Sequence, residues 1–187
     1  MKYDALKPNE NYPPFAEMNA ATAKRHFNWF VGQAGVRIDA LRGVCAEDGL
    51  VLPERPSLDA LKSLTEWLSG QITVVELDKP VHAGVERIVA ITGIKPAEFS
   101  AQSMSFIVDT SFYVAEYFIR LSPVVKWSLW TKRGSNFHRP VLIGFGRIPL
   151  VPTHLVSASA WGWSAVPPAP TDDFLRRIEV WTRDLVQ

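Results

Sequence analysis

The chain of 187 residues contains a single cysteine, Cys45, so no disulfide can form within it. That usage fits a reducing compartment. There is no run of about 18 apolar residues, so no membrane-spanning helix is expected. The first residues, MKYDALKPNENYPPFAEMN, lack the apolar stretch of a secretory leader. Charge of one sign is not in excess: the net charge is +1, which gives no global pull toward nucleic acid or an anionic membrane. No CxxC, HxxxH or HxxEH pattern joins Cys45, His26, His82, His138 and His154, so no metal site is expected. No G-x-S-x-G is present, and GFGRIP at 144–149 lacks the third glycine of a dinucleotide loop. These absences lead to the expectation of a soluble cytoplasmic protein without metal or cofactor.

What is present begins with 14 prolines and seven tryptophans. Pro8, Pro13 and Pro14 make residues 1–18 an irregular N-terminal segment, and residues 19–187 read as one α+β domain. Asn19 or Thr22 caps a helix whose apolar side carries Ala23, Phe27, Phe30, Ala34, Ile38, Leu41 and Cys45. It ends near Gly49. Gly32 and Gly35 each cost its middle about 1 kcal/mol relative to Ala, marking a close helix contact or a bend. Ser57 caps a second helix with Leu58, Leu61, Leu64, Trp67 and Leu68 on one side. The fragments ITVVEL and VERIVAITGI between residues 71 and 100 fit strands or short helices equally well.

Residues 102–120, QSMSFIVDTSFYVAEYFIR, form a central helix. At about 100° per residue, Gln102, Ser105, Asp109, Tyr113, Glu116 and Arg120 fall in one sector, and Met104, Ile107, Val108, Val114, Ala115, Phe118 and Ile119 lie opposite. Val125–Lys132 and PVLIGFG alternate as the two strands of a Trp-bearing hairpin around RGSNFHR. A short helix over 153–161 follows, then a proline-rich connector. A last helix capped at Thr171 or Asp172 carries Phe174, Ile178, Trp181 and Leu185. The expected architecture is long N-terminal, central and C-terminal helices packed around a small antiparallel sheet, with more helix than strand.

The run AKRHFNWFV, the Ser57–Trp67 element, VDTSFYVAEYF, and KWSLW followed by NFHRPVLIGF occur in that order. Together they resemble a group of small uncharacterised bacterial α+β proteins. In that group an "A-x-x-Y/F-F-x-W-F" helix opens the domain, and a "D-x-x-x-Y-x-G/A-E" helix leads into a Trp-containing strand and a "P-V-L" strand. The likeness covers about residues 19–150. Where the pattern commonly has Gly before the Glu, this chain has Ala115. The resemblance implies no catalytic activity. Related small α+β families often sit beside secreted toxins as immunity proteins, an analogy of type.

Asp109, Tyr113, Glu116 and Arg120 on the helix, with Trp130, Lys132, Asn136 and Arg139 on the hairpin, are the candidate binding residues. Aromatics among charges are typical of interfaces. The leading expectation is a non-enzymatic protein-interaction module of inhibitor or toxin-immunity type. Tyr113 and Trp130 would be its hot spots, and a homodimer through exposed Trp is a further option. The plainer reading is a solvated helix face with a Glu116–Arg120 pair, or carboxylates that accept from Trp indoles. A third reading makes the stripe internal and structural. Two functional alternatives stand beside these. One is a small hydrolase using Asp109 and Glu116, although their spacing sets them roughly 10 Å apart along the axis. The other is single-stranded nucleic acid on Trp127, Trp130, Lys132, Arg133, Asn136, His138 and Arg139. Cys45 is expected to be a buried small hydrophobe.

Overall fold

Side-chain caps start three of the described helices. Asn19 Oδ1 accepts from the Thr22 backbone N–H at 2.9 Å and opens α1 (Ala20–Gly32). Ser57 Oγ accepts from the Ala60 N–H at 3.1 Å and opens α3 (Leu58–Gln71). Ser100 caps the central helix α4 (Ala101–Leu121) by accepting from the Ser103 N–H at 3.2 Å. The computed structural model describes Tyr3, Leu6, residues 11–78 and residues 96–185.

The expected single helix over about 20–49 is two. It breaks at Gln33, and α2 (Ala34–Glu47) follows directly. An added Cβ at Gly32 or Gly35 would meet nothing within 4 Å, so these glycines do not mark a close helix contact. Leu41 and Cys45 on α2 face the core, and so does Arg37.

The fold is α+β. Among the described residues the strands form two separate antiparallel pairs, where one small sheet was expected. ITVVEL supplies β1 (Val74–Glu76), which pairs with β2 (Ala97–Phe99) through Val75 opposite Glu98. VERIVAITGI and His82 lie outside the described residues. β3 (Lys126–Leu129) pairs with β4 (Pro140–Ile143), Trp127 opposite Leu142. The ladder extends past the strands, where His138 N–H donates to the Trp130 carbonyl at 2.7 Å. Gly144 has φ +113°, and a Cβ there would lie 3.0 Å from the Val124 carbonyl oxygen, so only glycine fits that crossing.

α5 (Pro152–Trp163) starts with proline in its first turn, and α6 (Asp172–Arg183) buries Phe174 and Ile178. α4 is the axis of the molecule: α2 and α5 pack along it, and one cluster of buried side chains runs from Leu41 and Leu64 through Phe118 to Leu142, Val156 and Ile178. The N-terminal segment contains one short 3-10 turn, Phe15–Glu17. Among the described residues no helix is long and apolar enough to cross a membrane.

Candidate functional site

The polar sector of α4 is not a surface stripe. Ser105, Asp109 and Tyr113 are buried, Asp109 at 0% exposure, and only Gln102, the half-buried Glu116 and Arg120 approach solvent. The recognition-surface reading therefore fails for Asp109 and Tyr113. The reason lies in α2, which covers this side and carries its own charge inward. Arg37, 7% exposed, donates from Nε to Asp109 Oδ1 at 2.7 Å, while its Nη2 and the Tyr3 hydroxyl donate to Oδ2. The guanidinium lies over the Tyr3 ring, which packs at 4.7 Å from Phe106.

Burial pushes the Asp109 carboxyl above its usual range against the pull of Arg37 and Tyr3. The hydrogen bond to Asp109 holds Arg37 protonated, and burial raises the Tyr3 phenol. Tyr113 donates to the Pro53 carbonyl at 3.1 Å. No Trp indole meets Asp109 or Glu116; the indole that does find a carboxylate is Trp67, on Asp48 at 2.8 Å. Glu116 and Arg120 form the expected i,i+4 pair. Cys45 is fully buried, and burial pushes its thiol up to about 12.

The hairpin residues divide among four places. Trp127 packs against Phe30 and Phe112, as core. Trp130 is half-buried, with the Lys132 ammonium 5.3 Å from its ring, and opens on a recess of about 440 Å³ shared with Arg147, Ile148 and Pro149. Asn136 lines a smaller hollow of about 250 Å³ beside His154 and Trp181. Arg139 points elsewhere, into the largest cavity described.

That cavity, about 520 Å³, is walled by Phe15, His26, Trp29 and Phe30 from the N-terminal half, by Met104 and Val108 of α4, and by Arg139. His26, 9% exposed, is ringed by Tyr12 at 4.8 Å, Phe15 at 5.1 Å and Phe30 at 6.1 Å. Its Nδ1 is buried without a hydrogen-bond partner, and burial lowers its pKa, leaving it neutral. Arg139 donates from Nε to the Ser135 carbonyl at 3.3 Å and rests 4.7 Å over Phe15. Among the described residues no carboxylate pairs with it. Burial lowers its pKa, though a guanidinium stays charged. Arg139 was legible as a candidate. The aromatic cavity and His26 were missed, and the one available signal was the density of rings in HFNWF.

The arrangement suits binding more than bond-making. Ser105, the nearest hydroxyl on α4, donates to the Ala101 carbonyl at 2.8 Å. Among the described residues no group of three His, Cys, Asp or Glu could hold a metal ion. The chain matches no family model, no curated protein and no solved structure.

Proposed function

We propose that the protein is a non-enzymatic interaction module, of inhibitor or toxin-immunity type, that engages an acidic protein partner through its hairpin tip. The observation that carries this reading is the recess beside Trp130. Lys132 and Arg147 border it, Ile148 at 66% exposure stands at its edge, and among the described residues no acidic side chain lines it. A half-buried indole ringed by cations suits an apolar anchor with carboxylates around it. Hydrolysis by Asp109 and Glu116 has little support: Asp109 is enclosed by Arg37 and Tyr3, and Glu116 is paired with Arg120. Single-stranded nucleic acid stands behind a protein because the recess offers one stacking ring, where such binding uses several in succession. A cytoplasmic setting agrees with the lone buried Cys45.

The test is affinity capture with the wild type beside a folded Lys132→Glu/Arg147→Glu variant, each with and without nuclease. The expected result is a protein held by the wild type, indifferent to nuclease and lost on charge reversal. Equal recovery by both proteins refutes the reading, and loss on nuclease treatment transfers it to nucleic acid.

A further inference from the structure

The aromatic cavity lies apart from the tip recess and shares none of its lining residues. We propose that it binds a small aromatic monocarboxylate, its ring system among Phe15, Trp29, Phe30 and Met104 and its carboxylate on the Nη groups of Arg139.

Four observations converge on that class. The first is size: about 520 Å³ lies within the span of roughly 300–1,000 Å³ typical of small-molecule sites, and holds a bicyclic ring with one substituent. The second is the wall. Phe15 and Trp29 offer faces and edges for ring contacts, and Met104, 46% exposed, is a flexible thioether that adapts to the ring it meets.

The third is charge. Arg139 is half-buried, stacked over Phe15, and fixed at Nε by Ser135, which leaves the Nη edge for a planar acceptor. A guanidinium meets a carboxylate there by two parallel hydrogen bonds. Among the described residues no Asp or Glu lines the cavity, which leaves the guanidinium open to an anion from outside the chain. A single cation beside a neutral imidazole suits a monoanion; a phosphate dianion would want a second positive group. The fourth is His26, nine-tenths buried on the same wall with Nδ1 unpartnered. An orphaned buried polar atom is costly, and a small turn of the ring toward the cavity would let a ligand oxygen satisfy it.

A carboxylate on a ring can arrive as a free acid or as the C-terminal aromatic residue of a peptide. We favour the free acid because rings, cation and imidazole all line one cavity. The experiment is calorimetric titration of the full chain with 2-naphthoate, with 2-naphthalenemethanol as its uncharged counterpart and with acetyl-Gly-Gly-Trp bearing a free carboxylate. Wild-type protein is expected to bind naphthoate at least about tenfold more tightly than the alcohol or the peptide. Arg139→Gln should lose that advantage and keep the alcohol affinity, while Met104→Trp, which fills the cavity, should weaken both ring ligands. Arg139→Lys, retaining charge without the fork, should fall between. The Lys132→Glu/Arg147→Glu protein should bind naphthoate as the wild type does, so failure at the tip and failure in the cavity are separable.

Equal affinity of the wild type for naphthoate and the alcohol overturns the proposal without recourse to any variant. So does undiminished naphthoate binding by Arg139→Gln, tighter binding of the peptide than of the acid, or no heat with naphthoate at millimolar concentration.

Discussion

Arg37 and Arg139 are the same side chain in opposite circumstances. Arg37 is buried beside Asp109, with both carboxylate oxygens and the Tyr3 hydroxyl drawn into one closed cluster. Arg139 is half-buried against Phe15, finds one backbone carbonyl and no anion, and shares its cavity with an imidazole nitrogen that has no partner. Where every charge is answered within the chain, the cluster holds the fold and has nothing left to offer a ligand. Where charge and donor stand open in an apolar enclosure, the cost of leaving them so points to a partner from outside. The two regions are one helical turn apart on α4, since Ser105 lines the cavity and Asp109 anchors the cluster.

The comparison breaks most readily at Asp109. Asp109→Ala strands the buried Arg37 charge and is expected to cost about 3–5 kcal/mol in urea denaturation. Replacing both partners, Arg37→Met with Asp109→Leu, should cost clearly less than the sum of the single changes, and additivity in that cycle would dissolve the pairing. Tyr3→Phe removes one donor to a charged oxygen and should cost about 1.5 kcal/mol, read in the same way.

A smaller effect appears on acidification. Burial lowers the His26 pKa below its ordinary 6.5, so the unfolded chain binds the proton more readily. Stability is then full above pH 6.5 and erodes as the pH falls toward the lowered value. His26→Phe should show a shallower loss between pH 7 and pH 5 than the wild type, and identical slopes would count against a desolvated imidazole. The smallest effect is Arg139→Gln, expected to change unfolding stability by less than about 1 kcal/mol because no ion pair is lost. A loss rivalling that of Asp109→Ala would erase the distinction between the two arginines.

Much of the fold was legible because its signals are local. Asn19 and Ser57 stand where a side-chain oxygen must meet the first free N–H groups, and the leucines of α3 recur at helical spacing. The break at Gln33 lies between Gly32 and Gly35, although the chain read as one helix. The site was harder to see. A helical projection sorts side chains by polarity and takes the polar side for the wet one, yet Asp109 is dry because its answering charge sits 72 positions away on α2. No spacing within residues 102–120 contains that fact. The cavity is likewise assembled from residues as distant as Phe15, Met104 and Arg139, so rings that look like ordinary core material in sequence enclose a space only after folding. Arg139 stood out as a basic residue at a hairpin tip, while its separation from Trp130, Lys132 and Asn136 depends on which way each side chain turns.

The clasp between Tyr3 and Asp109 spans 106 positions. Closing a loop of that length carries an entropic cost that only well-packed neighbours can offset, and the neighbours in question, α2 and α4, must already be docked before the phenol has a site to enter. The tyrosine is therefore expected to dock late in folding and to leave early in unfolding. Its removal should steepen the escape from the native state and leave the rate of arrival nearly untouched, so that it sets how long the molecule stays folded more than how quickly it gets there. Leu6, three positions on, forms part of the cavity wall, and the lifetime of that wall is tied to the same latch.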